Sequence, residues 1–243
     1  MAGKGLKTLA IDTATRYSSV ALVNGDKVAG ENLLCGQKNH SEKLLSLVDE
    51  LFKNTRVSPE SIDLIAVSSG PGSFTGLRVG ISTAQGLAFS LGKDLTGVST
   101  LEVLASQVCC MYQGFICPMI DARKQQVYTC LYKCSEKGKL EKVIGETVVG
   151  PEKWLLDLPA PALFLGDGVC SYRKIIKTTM KKNCTILPFS FGIPRASTLA
   201  HIAMKRYLKN RRNELEQIAP MYIRPPDAEM KTNIRKGSFN PVV

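Results

Sequence analysis

Residues 64–80 read LIAVSSGPGSFTGLRVG and join a continuous apolar run to a glycine-rich turn. The apolar run, residues 64–67, is typical of a strand that is buried on both faces of a sheet. Gly70, Gly72 and Gly76, with one proline, then force a loop. Apolar residues recur at helical spacing from there to Leu91. The stretch therefore predicts a strand, a loop and a helix in succession, which is a unit of an α/β fold.

Upstream of this unit, short β-rich runs surround an Asn24-Gly25 pair. That pair is a strong hairpin signal, so the opening of the chain is predicted to be an antiparallel meander. Residues 41–54 then carry apolar residues at helical spacing over an arc of about 160°, wider than the ~100° that a surface helix needs. The surplus favours a partner surface, although a well-buried helix of the monomer explains it equally well.

The helix after the glycine turn has a second stripe made of small residues, among them Val79, Thr83 and Gly86. Small side chains let another helix approach closely, so this stripe predicts a helix-packing seam. The seam can lie within the monomer or face a partner.

The second half of the chain repeats the pattern of the first. Ile120-Asp121-Ala122 echoes Ile11-Asp12-Thr13, and residues 162–168 echo the buried strand with its glycine turn. We interpret this as a weak internal repeat. A final helix is expected from Ser197 to about Lys209, packing back on the first half.

Composition narrows the class of protein without identifying it. The chain has 243 residues, 44% of them hydrophobic and 22% charged, which excludes collagenous, low-complexity and largely disordered proteins. Its formal charge of +11 favours polyanionic partners. No membrane span and no signal peptide are recognisable, so we expect a cytoplasmic protein without a membrane partner. Eight cysteines in a chain of this length favour reduced thiols.

Residues with catalytic potential are few. The histidines are His40 and His201, and no cysteine pair has zinc-site spacing, which disfavours a protein-held transition metal. No Gly-x-Ser-x-Gly elbow occurs, so we assign no nucleophile.

Two features point towards phosphate chemistry, each with a simpler alternative. The backbone N–H groups of Gly70 and Gly72 precede a helix, where an anion is favoured, yet such loops are more often tight turns. Asp12 and Thr13 end a strand and are the residue types that orient a magnesium-bound phosphate, with Asp121 as a second candidate. Strand-end aspartates also commonly form turns.

The chain resembles the TsaB (YeaZ) family in residues 11–14, 68–88 and 120–128. This family supplies a subunit of the machinery that makes threonylcarbamoyladenosine beside the tRNA anticodon. The resemblance spans residues 8–224. It implies an α/β, duplicated actin/Hsp70-like (ASKHA) fold of two ribonuclease-H-like lobes, the second lobe reduced. The expected division is an N-terminal lobe with partner-binding helices (1–104), a C-terminal lobe (105–224) and a loosely ordered tail (225–243).

The same resemblance implies a partner and activator of a TsaD-type catalytic subunit, with a TsaE-type ATPase in the complex and a homodimer when the chain is alone. TsaD-type chains carry a His-x-x-x-His metal motif, where this chain has Thr100 and Leu104. A catalytically silent subunit is therefore expected. It would hold no cofactor by itself, with ATP or ADP and magnesium in the complex, and would contact tRNA indirectly or weakly. The expected partner patch consists of Leu45, Leu51 and Phe52 on the first helix and Val79, Thr83 and Gly86 on the second.

Two other functions compete with this one. An actin-fold phosphotransferase would use Asp12, Thr13 and Asp121 around magnesium-ATP, and a glycoprotease would be a further enzymatic label. A stand-alone RNA-binding module would use the basic residues of the last helix, although no aromatic stacking platform accompanies them. Those basic residues are Lys205, Arg206, Lys209, Arg211 and Arg212.

Overall fold

The computed structural model describes residues 5–36 and 40–224, and gives only the backbone of residues 40–42. The expected tail, 225–243, lies outside the described residues. The first half contains β1 (Lys7–Asp12), β2 (Tyr17–Asn24), β3 (Lys27–Cys35), α1 (His40–Thr55), β4 (Leu64–Gly70), α2 (Phe74–Leu91), β5 (Asp94–Ser99) and α3 (Thr100–Cys109). The second half contains β6 (Gly114–Asp121), β7 (Val127–Cys134), β8 (Leu140–Val149), α4 (Pro151–Leu156), β9 (Ala162–Leu165), α5 (Asp167–Met180), β10 (Cys184–Ile186) and α6 (Ala196–Asn210).

The two halves have the same sheet topology. The first sheet has the order β3-β2-β1-β4-β5, and the second has the order β8-β7-β6-β9-β10. In each, three antiparallel strands are followed by two parallel ones. The predicted opening meander is confirmed, with Asn24 paired to Lys27 across a two-residue turn. The weak repeat in the sequence therefore corresponds to a structural duplication.

Strands β1, β2 and β4 of the first sheet are buried on both faces, whereas the edge strand β3 is exposed or half-buried. Residues 64–67 of β4 are completely buried, as their continuous apolar run predicts. Helices α1 and α2 cover one face through side chains such as Leu44, Leu51 and Ile81. The other face is covered by α6, whose Leu199 packs against the alanines of β1, β2 and β4. The expected return of the last helix to the first half is confirmed.

Helix α3 belongs to both halves. Its Leu101, Leu104 and Val108 pack into the core of the second sheet. Its Val103 instead packs with α6 and the first sheet. The boundary expected between residues 104 and 105 therefore falls inside a helix that both lobes share.

One cysteine pair departs from the expectation of reduced thiols. Cys109 at the end of α3 forms a disulfide with Cys134 at the end of β7. The two residues are brought together by the packing of α3 on the second sheet, which the sequence spacing of 25 residues does not reveal. Cys117 is a buried thiol, and its burial raises its pKa to about 11. It therefore behaves as a small apolar side chain.

Candidate functional site

The glycine-rich stretch of residues 70–80, which we call the glycine block, allows α2 to lie directly against the turn between β1 and β2. The Thr13 hydroxyl donates a hydrogen bond to the carbonyl oxygen of Gly76 at 2.7 Å. The Ser73 N–H donates to the carbonyl oxygen of Ala14, also at 2.7 Å. A Cβ atom on Gly76 would overlap the Thr13 carbonyl oxygen, and one on Gly72 would overlap that of Ala14. These glycines are thus required for close backbone approach.

Gly70 forms part of a tight turn and does not lie in an open loop that could bind a ligand. Its φ of +108° lies in the region that favours glycine. Met221, from the C-terminal segment, lies over it and donates its N–H to the carbonyl oxygen of Ser69 at 2.7 Å. Of the two glycines expected to bind a phosphate, Gly72 borders the cleft between the lobes and Gly70 does not.

Asp12 lies beneath this turn, with 1% of its surface exposed. The Ala14 N–H donates to its Oδ1 at 3.2 Å. Its Oδ2 is buried without a hydrogen-bond partner among the described residues. The nearby Ser68 hydroxyl nevertheless lowers the pKa of the carboxyl group. Burial raises the pKa of Asp12 to about 7, against the opposing effect of the Ala14 N–H. The carboxyl is therefore a buried group that is partly protonated near neutral pH.

A cleft of about 530 Å³ lies between the lobes. Its walls come from the β1–β2 turn and the start of α2 on one side, and from the ends of β6 and β9 with the start of α5 on the other. The lining residues are Ala14, Thr15, Arg16, Gly72, Ser73, Phe74, Thr75, Ile120, Asp121, Ala122, Arg123, Tyr128, Asp167, Cys170, Ser171 and Phe189. Neither Asp12 nor Thr13 is among them. The two acidic strand ends of the repeat, Asp12 and Asp121, thus do not face each other across the cleft.

The acidic pair in the cleft is Asp121 with Asp167. The N–H of Asp121 donates to Oδ1 of Asp167 at 3.0 Å, and the N–H of Arg123 donates to Oδ1 of Asp121 at 2.8 Å. Burial raises the pKa of Asp167, and the hydrogen bond from the N–H of Asp121 opposes this shift. The charge of Asp121 raises the pKa further, while the charge of Arg16 lowers it. Arg16 lies 5.0 Å from the ring centre of Phe189.

Sequence reasoning missed Asp167 and Arg16 as cleft residues. The repeat contained a signal for Asp167, because Gly166 follows β9 as Gly70 ends β4, and both have φ near +110°. Asp167 therefore lies at the structural equivalent of the glycine turn of the first half. Arg16 carried no comparable signal.

The expected partner patch divides between core and surface. Leu51 and Phe52 are buried in the first core, so their assignment to an exposed patch is wrong. The wide apolar arc of α1 is explained by the monomer's own packing on β2, β3 and α2. Leu45 is 55% exposed.

The outer side of α2 remains accessible. Val79 and Thr83 are half-buried, with Val79 packed in part against the first core, and Gly86 is exposed. Phe89, one turn beyond Gly86, is 82% exposed, and sequence reasoning missed it. A Cβ atom on Gly86 would meet nothing within 4 Å. We call Val79, Thr83, Gly86 and Phe89 the α2 face.

Other chemistry is sparse in residues 5–36 and 40–224. No group of three or more His, Cys, Asp or Glu side chains there is arranged to hold a metal ion. Thr100 and Leu104 are fully buried in α3. Over the same part of the chain, the helices are too short or too polar to span a membrane.

Two lobes of identical topology around a cleft define a duplicated actin/Hsp70-like α/β protein. A ROK hexokinase from Thermus thermophilus shares this fold, with a TM-score of 0.50 at 8% identity over 84% of this chain and 100% of the hexokinase. At that identity the likeness concerns the fold alone.

The family follows from closer relatives. The family model described as "TsaD: tRNA N6-adenosine threonylcarbamoyltransferase" matches residues 35–232. The tRNA threonylcarbamoyladenosine biosynthesis protein TsaB of Bacillus subtilis is 34% identical, over 92% of this chain and 96% of the relative. TsaB of Escherichia coli is 31% identical over 90% and 95%. YeaZ from Pseudomonas aeruginosa has a TM-score of 0.78 at 29% identity over 89% and 99%. The chain belongs to the TsaB (YeaZ) family, whose curated members are named as tRNA threonylcarbamoyladenosine biosynthesis proteins.

Proposed function

We propose that this chain is a non-catalytic partner and activator of a TsaD-type subunit, which transfers threonylcarbamoyl to the adenosine beside the tRNA anticodon. The observation that carries the proposal is the α2 face, where Phe89 is 82% exposed next to Gly86. Gly86 has no side chain, so a helix from another protein could approach α2 closely at this position. That helix would also cover the exposed aromatic ring of Phe89. When the chain is alone, the same face would form a homodimer.

The arrangement of the first-lobe residues supports a subunit without its own chemistry. Asp12 is buried beneath the turn, and the Thr13 hydroxyl is already bonded to Gly76. Gly70 lies under Met221. These residues do not fit the binding of magnesium and a nucleotide that the sequence suggested for them. We therefore assign ATP or ADP with magnesium to the assembled complex, together with a TsaE-type ATPase, and place that complex in the cytoplasm.

Gly86→Leu tests the proposal because the free space around Gly86 lets the monomer accept the new side chain. The leucine would block close helix approach. We expect unchanged circular dichroism, with self-association and TsaD-type binding each at least tenfold weaker, equivalent to about 1.4 kcal/mol. Sedimentation velocity measures both interactions.

Gly145→Leu is the matched control, since a Cβ atom added to Gly145 in β8 would also meet nothing within 4 Å, and this position lies far along the chain from α2. It should leave both interactions unchanged. If Gly86→Leu binds both partners as the unsubstituted chain does, the α2 face is not the interface and the proposal loses its support.

The competing phosphotransferase is tested by single-turnover assays on the purified chain. We expect neither ATP hydrolysis nor tRNA modification in the absence of the TsaD-type subunit. Turnover that persists after rigorous purification and disappears in Asp12→Ala would instead support the enzyme.

A further inference from the structure

The positive charge of the chain is concentrated in one segment. Residues 168–213 contain no aspartate or glutamate but carry 11 lysines and arginines, as many as the net charge of +11. At the average composition of the chain, a segment of this length would carry about four carboxylates. The segment comprises most of α5, β10 and α6.

Part of this charge has a structural use. Arg195 pairs with Glu31 at 2.7 Å. Arg206 pairs with Glu102, and Arg211 lies 5.2 Å from the ring centre of Tyr207. Arg195 and Arg206 therefore help to fix the last helix to the first lobe and to α3. Lys205 and Lys209 of that helix are exposed and form no ion pair with a described residue, so α6 presents fewer unpaired cations than α5.

The cations of α5 have no such use. Arg173, Lys174 and Lys177 are exposed, as are Lys181 and Lys182 directly after the helix, and none forms an ion pair with a residue that the structure describes. The opposite side of α5 is buried in the second core through Val169, Ile176 and Met180. We call the five cations the α5 basic face.

The α5 basic face has a regular geometry. A rise of about 1.5 Å per residue places Arg173, Lys177 and Lys181 in a row about 12 Å long, with Lys174 beside it. The neighbouring helix α4 carries exposed Glu152, and exposed Asp157 follows it, but neither carboxylate neutralises the row. Like charges three or four residues apart destabilise a helix, so the row opposes folding slightly unless an anion binds it.

We propose that the α5 basic face binds the phosphate backbone of RNA. Rows of lysine and arginine without aromatic or amide side chains contact phosphates and do not read bases. An anionic membrane surface fits less well, because a helix that binds a membrane inserts its apolar side, and the apolar side of α5 is buried in the protein. The inference rests on the proposed function, in which tRNA is the substrate of the complex.

The position of α5 is compatible with partner binding. Helix α5 packs on α4, β6, β9 and β10, whereas α2 packs on β1, β4 and β5. A TsaD-type subunit docked on the α2 face thus contacts the other lobe. RNA can occupy the α5 basic face in the same complex.

The test neutralises three adjacent cations with Arg173→Gln, Lys174→Gln and Lys177→Gln in the full chain bound to its TsaD-type subunit. The affinity for unmodified tRNA is measured by fluorescence anisotropy at several salt concentrations. We expect at least tenfold weaker binding at about 0.1 M salt and a slope of log K against log salt that is smaller by about 2.

The control variant removes the same charge elsewhere, with Lys27→Gln, Lys137→Gln and Lys139→Gln, all exposed positions outside α5. It should keep the slope of the unsubstituted complex. An equal loss in both variants would mean that net charge alone matters, and would overturn the inference. An unchanged tRNA slope also overturns it. If binding to phosphatidylserine vesicles is then lost in the α5 variant, the face serves a membrane.

Failure of this inference is separable from failure of the proposed function. Sedimentation with the TsaD-type subunit and the rate of tRNA modification report the proposed function. If the unsubstituted chain activates modification while the salt slope is unaffected by the α5 variant, only the basic face is wrongly assigned. If the slope falls as expected but the chain neither binds nor activates the subunit, the RNA surface stands and the activator role is wrong.

Discussion

At the scale of single residues, the glycines of the glycine block are required where α2 and the segment before it pack closely against the β1–β2 turn. Gly72, Gly76 and Gly80 all face the turn at residues 13–14, and a Cβ atom on any of them would overlap an oxygen atom of that turn. Gly86, on the same helix as Gly76 and Gly80, faces open space. Identical residues in one helix therefore have opposite physical roles.

Gly76→Ala should consequently destabilise the protein by roughly 1–3 kcal/mol, because the new methyl group forces α2 away from the Thr13 carbonyl oxygen. Gly86→Ala is the matched control and should stabilise the protein by about 0.5–1 kcal/mol through helix propensity. Urea denaturation measures both free energies of unfolding. Equal effects of the two substitutions would show that close approach does not restrict residue 76.

The carboxyl group of Asp12 predicts a pH dependence of stability. Its pKa is about 7 in the folded chain and 3.8 for an ordinary aspartate, so the folded state binds more protons between these values. The free energy of unfolding therefore falls as pH rises from about 4 to about 7.

Asp12→Asn should remove this contribution while retaining the acceptor for the Ala14 N–H. We expect the difference in the free energy of unfolding between the variant and the unsubstituted chain to be small at pH 4. By pH 8 the difference should change in favour of the variant by up to about 4 kcal/mol. Urea denaturation across this pH range measures the difference. A difference that does not change with pH would mean that Asp12 titrates normally.

At the scale of elements, the two lobes depend on each other's helices. One face of the first sheet is covered by α6, which follows the second sheet in the chain. Helix α3 is shared between the two cores. Neither half therefore has a complete core by itself.

Leu199→Ala tests the role of α6 in the first core. Leu199 is completely buried, so its truncation should cost about 2–5 kcal/mol of unfolding free energy. Leu208→Ala on the same helix, where Leu208 is 50% exposed, should cost much less. Thermal or urea denaturation distinguishes the two variants. A similar cost at both positions would contradict the packing of α6 on the sheet.

At the scale of the whole molecule, a C-terminal strap (residues 211–224) joins the lobes. Glu214 donates its N–H to the carbonyl oxygen of Leu95 at 2.8 Å on the edge strand β5. Arg78 donates to the Tyr222 hydroxyl at 2.8 Å. Arg224 then reaches the second lobe and donates to the carbonyl oxygen of Ala122 at 2.7 Å. The strap thus runs from the first sheet to Ala122, which lines the cleft.

Local sequence patterns predicted several of the elements and a repeat between the two halves. The apolar run 64–67, the Asn24-Gly25 turn and the echo of Asp12 in Asp121 are local patterns, and local patterns fix backbone conformation and strand burial. They predicted the opening meander, the strand–loop–helix unit and a weak repeat, whereas the duplicated fold was implied by the resemblance to the TsaB (YeaZ) family. The elements α3, α4, β8 and β10, in contrast, were not predicted from the sequence.

Which side chains are exposed, unpaired or in the cleft follows from packing between elements that are distant in the chain. Whether Phe52 faces a partner or a core, whether Asp12 or Asp167 enters the cleft, and whether a cation on α5 or α6 is paired all depend on contacts between residues distant in the chain. Arg206, for example, is neutralised by a carboxylate 104 positions away. Burial and charge pairing are properties of three-dimensional neighbours, and a periodic pattern records only the side of its own element on which a residue lies.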